Sequence, residues 1–461
     1  MIEEKGKISE RIPYVVTLPE GKENLPVMIL CHGSASSKDE VGGLFVELSQ
    51  KLSEKGIASI RFDFANGGER ANEVFSYNYA VQDLNEILEY ISSRKEINKD
   101  KISILGYSLG ARIAMDSCIQ REGKYSSIVI WSGACKDGRE QFGEFFGEND
   151  QYYAEAKKYG ASEIPLDFRE EPMAISLSTY DVIKDSHISE GIAKLKQPTL
   201  VVCGKEDDVV GIDSARELAG SMQYSELVEV DGADHIYHVF ETSDQKEALL
   251  NATVEFADKE LNMTKIMLDK LCNVVEYHEN QVDTEKLQNI FQIIKRKVEG
   301  KKYLRIIGEE PEWLVAALAT YLNNNGISVE DESGIIRDIN GLIQSDNGNF
   351  GIITSTIKDK VYVICTDCSD LDKDEIIVPQ IISDNDVYIE FNGKVDASFI
   401  SSLSKTYAKE NNNIFLKIGN KYVCVASGDL SNIGITQETK DILDIEDING
   451  KEEVDSTPVI G

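Results

Sequence analysis

The chain predicts an α/β protein: a mainly parallel sheet covered by helices, interrupted by one long insertion and followed by a second α/β domain. Three observations carry that expectation. Short apolar, β-branched runs alternate with helix-forming segments through the first half of the 461 residues. A polar and aromatic stretch over 136–197 breaks the alternation and is too long for a simple connection. In "ISILGYSLGARIAM", Ile102–Met115, a glycine-flanked serine stands where an apolar run passes into a helix former.

In chain order, Tyr14–Leu18, Val27–Cys31, Ala58–Phe62, Ile102–Leu105, Ser127–Trp131, Thr199–Cys203 and Leu227–Val230 read as strands. Gly43–Lys55, Ala80–Ser93, Ala111–Arg121 and Ser214–Met222 read as the helices between them. The insertion, with "QFGEFFGENDQYYAEAKKYG", is expected to cap a site at the sheet edge. Residues 1–262 form one domain on this reading. Met263–Glu276 and Thr284–Val298 have amphipathic spacing and predict a helical linker over 263–300. "KKYLRIIGEEPEW", "KVYVICTDC", "DVYIEFNG" and "NIFLKIG" supply strands of a second α/β domain over 301–445, with a helix at Ala397–Lys409. Residues 446–461 are acidic, lose apolar periodicity and predict a flexible tail.

Composition narrows the function classes. With 81 acidic against 48 basic residues the formal charge is −33, which disfavours broad electrostatic binding to nucleic acid or to an anionic membrane. No apolar run reaches the ~20 residues of a membrane span. "MIEEKGKISERIPY" lacks the apolar core of a secretory leader, so a cytoplasmic location is expected. The eight cysteines are scattered and imply no disulfide framework. "CTDC" at Cys365–Cys368 has no second cysteine pair or histidine cluster beside it, so neither a metal nor a cofactor is expected.

Ser108 is the centre of the site reading. Gly106, Tyr107, Ser108, Leu109 and Gly110 spell GxSxG between a strand and a helix, which projects the hydroxyl above the sheet. A serine hydroxyl needs an imidazole to take its proton and an acid to orient that imidazole. Of five histidines, His235 and His238 lie in "DGADHIYHVF" after the last strand of the series. The order serine, acid, histidine then points to "TLVVCGKEDDVVG", where Asp207 is the choice and its neighbour Asp208 stays open on spacing alone. The N–H groups of Leu109 and Ser34 are the expected oxyanion donors. His32, Asn66, Tyr107 and His238 are further candidates for touching substrate, with a solvent or cap contact the alternative for His238.

Taken together, "CHGSASSKDE", "IRFDFANGGER", "GYSLG", "GKEDDVV" and "GADHIYH" make the region from about Ile12 to Leu261 resemble an α/β-hydrolase, within which it is similar to small bacterial esterases of the cinnamoyl (feruloyl) group. The resemblance implies Ser108 as nucleophile, His235 as base and acid, Asp207 as orienting acid, and Ser34 and Leu109 as oxyanion donors. It also implies a cap that shapes acyl specificity. The sequence departs from the group at Leu109, at Ser34 and in the turn Asn66–Gly68. The expected function is serine-dependent cleavage of a carboxylic ester of a small-molecule acyl substrate, with a C-terminal domain that positions a partner, a substrate or another copy of the chain. Thioesterase or acyltransfer chemistry uses the same acyl-enzyme, and a non-catalytic sensor or interaction protein is the reading from a different class.

Overall fold

The structure, a computed structural model, describes residues 1–267 except 242 and, beyond them, the strands and helical residues named below as far as residue 438. The chain divides into two compact units, Met1–Asn262 and Met263–Gly461.

The first unit runs β1 (Ile2–Ile8), β2 (Ile12–Leu18), β3 (Leu25–Cys31), α1 (Leu44–Glu54), β4 (Ala58–Phe62), α2 (Tyr77–Ser93), β5 (Ile97–Tyr107), α3 (Leu109–Gln120) and β6 (Ser127–Trp131). The insertion follows as α4 (Gly143–Phe146), α5 (Gln151–Tyr159), the hairpin β7 (Ala161–Ile164) and β8 (Met173–Ser176), α6 (Leu177–Lys184) and α7 (Ile188–Ile192). The unit closes with β9 (Thr199–Gly204), α8 (Ile212–Ser221), β10 (Ser225–Val230) and α9 (Asp244–Asn262).

The sheet order is β1-β2-β4-β3-β5-β6-β9-β10, antiparallel through β1, β2 and β4 and parallel thereafter. Both faces are covered, which is why the central strands read as continuous apolar runs rather than alternating ones. The strand period of two still sorts their side chains. Val27, Ile29 and Cys31 of β3 join the core with α2, α3 and α8, while Met28 and Leu30 pack on the other face with α1 and α9. Parallel connections bring the loops after β3, β5, β6, β9 and β10 to one edge, and that edge is where the site residues stand.

Two elements lie outside the sequence expectation. β1, "IEEKGKI", is a charged edge strand with no fully buried residue, so it carries little hydrophobic signal. α9 is the missing helix of the second face, burying Leu249, Leu250, Val254, Phe256, Ala257 and Leu261. Trp131 Nε1 donates to Thr253 Oγ1 at 2.8 Å and ties α9 to β6. Among the described residues no helix is long and apolar enough to cross a membrane.

In the second unit β11 (Thr264–Met267), β12 (Tyr303–Ile307), β13 (Ser328–Asp331) and β14 (Gly334–Ile335) form one sheet, and β15 (Leu342–Ser345) pairs with β18 (Ile376–Pro379). A mixed sheet joins β16 (Ile352–Ile357), β17 (Lys360–Cys365), β19 (Val387–Phe391), β20 (Asn413–Ile418), β21 (Lys421–Ser427) and β22 (Thr436–Glu438) in that order. The helix Ala397–Tyr407 links the parallel pair β19 and β20. Tyr388 stacks on Phe415 across that pair, ring centres 4.8 Å apart.

β11 corrects the sequence reading. Thr264–Met267 opens a strand parallel to β12 rather than a linker helix, because a distant strand offers the short apolar run a ladder. Local periodicity does not separate the two outcomes over so few residues. Residues 268–289, Cys368 of "CTDC" and the tail over 446–461 lie outside the described residues.

Candidate active site

Ser108 stands between β5 and α3 with φ 53° and ψ −118°, a backbone state that persists only where the surroundings enforce it. The enforcement is close packing at the flanking glycines. A Cβ on Gly106 would come 2.4 Å from the Ala111 Cα, and one on Gly110 would come 2.3 Å from the His32 carbonyl oxygen. The Ser108 N–H donates to Trp131 O at 3.0 Å, and its carbonyl accepts from Ala111 N and Ala134 N.

His235 reaches this serine from the loop after β10, its Nε2 lying 3.2 Å from Ser108 Oγ. Its Nδ1 lies 2.9 and 3.0 Å from the two Asp207 oxygens. A carboxylate only accepts, so Nδ1 carries the proton and Nε2 turns its lone pair to the serine hydroxyl. Spacing left Asp207 and Asp208 open, and the structure separates them. Asp207 is buried and also accepts from Val209 N and Val210 N, whereas Asp208 is exposed. Burial by itself would raise the Asp207 carboxyl, but the hydrogen bond and charge of His235, the Val210 N–H and the Ser132 hydroxyl outweigh it and hold the group at about 2.

On the other side of Ser108, the loop after β3 is drawn in by Glu40. Its buried carboxylate accepts from Gly33 N at 2.7 Å, Ser36 Oγ at 2.5 Å and Val41 N at 3.0 Å. The next N–H, that of Ser34, and the N–H of Leu109 at the first turn of α3 have no acceptor among the described residues. A Cβ built on Gly33 would stand 3.5 Å from Ser108 Cβ, which places this loop directly beside the serine.

Of the four further candidates for touching substrate, His32 and Asn66 line a small cavity beside Ser34 and Leu109, and Tyr107 and His238 do not. Tyr107 is buried beneath His235, with its hydroxyl donating to His235 O at 2.6 Å and its ring stacked on the imidazole at 5.5 Å. Its side chain falls on the sheet face away from the mouth, so it positions the histidine. His32 spends both ring nitrogens internally: Nε2 accepts from Phe64 N at 2.9 Å and Nδ1 donates to Gly33 O at 2.7 Å. Asn66, with φ 64°, donates to Ala71 O and Glu73 O. Its side-chain oxygen accepts from Arg169 Nη2 at 2.6 Å. His238 turns back on its own loop, Nε2 donating to Gly232 O at 2.9 Å. Tyr107, His32 and Asn66 thus commit their polar side-chain groups to internal partners, whereas His238 Nδ1 lies 3.6 Å from Asp234 Oδ2 on a side chain 37% exposed.

Sequence reasoning missed the supports. Ser132, with φ 42°, and Tyr237, with φ 57°, are both fully buried and face each other, hydroxyl oxygens 2.9 Å apart, beneath Asp207. Tyr237 Oη also donates to Val202 O at 3.1 Å. Arg169 of the insertion donates to Asn66 O at 3.0 Å and, more weakly, to Ala35 O at 3.5 Å. Met173 Sδ accepts from Ser34 Oγ at 3.2 Å. Only "FDFANGGER" hinted at any of these, as a departure in the turn that Arg169 grips. Among the described residues no group of histidine, cysteine or acidic side chains is placed to hold a metal ion.

Residues 22–155 match a family model described as serine aminopeptidase, S33, a segment that includes Ser34 and Ser108 but ends before Asp207. A 2,6-dihydropseudooxynicotine hydrolase of Paenarthrobacter nicotinovorans is 24% identical over 233 residues, 49% of this chain and 57% of that protein. Esterase EstD of Thermotoga maritima is 27% identical over 134 residues, 28% of this chain and 32% of that protein. The chain therefore spans little more than half of the first relative and about a third of the second. Among solved structures, Est1E from Butyrivibrio proteoclasticus aligns at 17% identity and a TM-score of 0.44, covering 55% of this chain and 96% of that one. The esterase domain of a Rhodothermus marinus protein aligns at 17% identity and a TM-score of 0.42, covering 56% of this chain and 98% of that one.

Proposed function

We propose that this chain, an α/β-hydrolase that resembles esterases over its first unit, cleaves a carboxylic ester through an acyl-enzyme on Ser108. The observation that carries the reading is the hydrogen-bond line from Asp207 through His235 to a serine held on a strained turn. Ser108 Oγ attacks the acyl carbon and its proton passes to His235 Nε2. The carbonyl π bond opens, and the oxyanion takes the N–H groups of Ser34 and Leu109. The carbonyl re-forms as the bond to the leaving oxygen breaks, and Nε2–H returns its proton to that oxygen. Water then gives a proton to Nε2 and attacks the acyl-enzyme, releasing the acid as the proton returns to Ser108.

Asp207 remains ionised throughout and stabilises the imidazolium. The insertion over 136–197 serves as the cap, and the substrate is a small acyl compound that needs no cofactor. The test compares wild type with Ser108→Ala on short-acyl, long-acyl, hydroxycinnamoyl and thioester substrates. Loss of about a thousandfold or more in kcat with an unchanged circular dichroism spectrum is expected. Equal rates for the two proteins would overturn the mechanism, and turnover confined to thioesters would reassign the leaving group.

A further inference from the structure

A small cavity opens beside the oxyanion donors, walled by Ser34, Phe64, Phe75, Leu109, Ile113 and Met173. Of the two substituents on a reacting acyl carbon, the leaving oxygen must lie where His235 Nε2 can protonate it. The acyl substituent must point the other way. The cavity receives no side chain from the Asp207 or His235 loops. Its walls come from the loops after β3 and β4, from Phe75 just before α2, from α3 and from β8. It is therefore on the acyl side of the carbon.

Its free volume is about 10 Å³, room for one water-sized or methyl-sized group before any wall moves. Most walls are fixed. Phe75 N donates to Ala174 O and its carbonyl accepts from Ser176 N, Phe64 N donates to His32, and Ile113 is set in α3. Met173 is the unbranched, adaptable wall, buried in the core, with its sulfur accepting from Ser34 Oγ. No carboxylate, lysine or arginine lines the space, and His32, which does, has both ring nitrogens bonded internally.

From this geometry we propose that the site takes a short, neutral acyl group, acetyl or propionyl, rather than a long chain or an aryl acyl group, and that Met173 sets the limit; the proposal rests on the hydrolase reading above. The experiment measures kcat/KM of the full chain and of Ser108→Ala, Met173→Ala and Ile113→Val. The probes are 4-nitrophenyl acetate, propionate, butyrate, hexanoate and octanoate, and methyl ferulate. Wild type is expected to lose about tenfold or more from acetate to octanoate or ferulate, and Met173→Ala to raise the octanoate-to-acetate ratio by about tenfold. A wild type that prefers octanoate or ferulate overturns the proposal, as does a folded Met173→Ala with an unchanged ratio. If Met173→Ala does not fold, Ile113→Val widens the same space from the helix side and must shift the ratio the same way. Absence of Ser108-dependent turnover on every ester defeats the hydrolase reading itself. Ser108-dependent turnover with the wrong chain-length profile defeats only the pocket.

Discussion

Beneath the acid, Ser132 and Tyr237 both hold left-handed backbone angles and meet through their hydroxyls. Two such residues in one buried contact are a cost that neighbouring structure must offset, and what they support is Asp207. The sign of its titration follows from its lowered value. Ionised Asp207 adds stability that is fully present above the ordinary carboxylate range and is lost as pH falls through about 2. Ser132→Ala removes one of the groups that lower the carboxyl, so its acid-unfolding edge should move to higher pH, read by circular dichroism against pH. In the same variant kcat/KM should fall by about tenfold, because Asp207 loses a neighbour that favours its ionised form and rests on Tyr237. A loss of stability equal at all pH, with kcat/KM unchanged, would make Ser132 a packing residue only. Ser108, His235 and the Asp207–Asp208 pair were legible because each falls at the end of its own strand in a required order. Ser132 carried no such signal, since its role depends on a tyrosine 105 positions away.

The insertion packs into the first core through Phe142, Phe146, Tyr180, Ile183 and Ile188, and polar contacts fasten its hairpin to the site loops. Phe75 forms a parallel bridge with Ile175, and Tyr77 N donates to Thr179 Oγ1 at 3.0 Å. Arg169 adds a fork of bonds to Asn66, Ala35 and Pro172 carbonyls that a point charge cannot reproduce. Arg169→Gln should lose about 1–3 kcal/mol of local hydrogen bonding. Trypsin-free proteolysis, for example with chymotrypsin, is expected to cleave within 136–197 several-fold faster in the variant while the sheet signal is unchanged. Equal cleavage rates would mean that the Phe75 bridge holds the insertion without Arg169. Composition and length made the insertion visible, but its attachment was not readable, because the partners of Arg169 outside the insertion, Asn66 and Ala35, lie 103 and 134 positions earlier in the chain.

Among the described residues, the two apolar cores of the first unit are built from residues between Ile8 and Leu261. A chain ended after Met263 keeps all of those core residues, whose burial is the main favourable term in folding. It is expected to remain folded and to retain Ser108-dependent turnover within about twofold of the full chain. Aggregation or loss of turnover would show that the first unit depends on the second. Alternating apolar and helical segments, the GxSxG turn and the order of serine, acid and histidine follow from local chemistry, so the α/β class, the serine, the histidine and the loop that carries the acid were readable along the chain. The choice of Asp207 over Asp208, the inward turn of Tyr107 and His32, the strand at Thr264–Met267 and the small cavity beside Ser34 and Leu109 were settled by packing. Each of those depends on which distant group meets a side chain or an unpaired backbone edge, and spacing along a sequence does not encode that meeting.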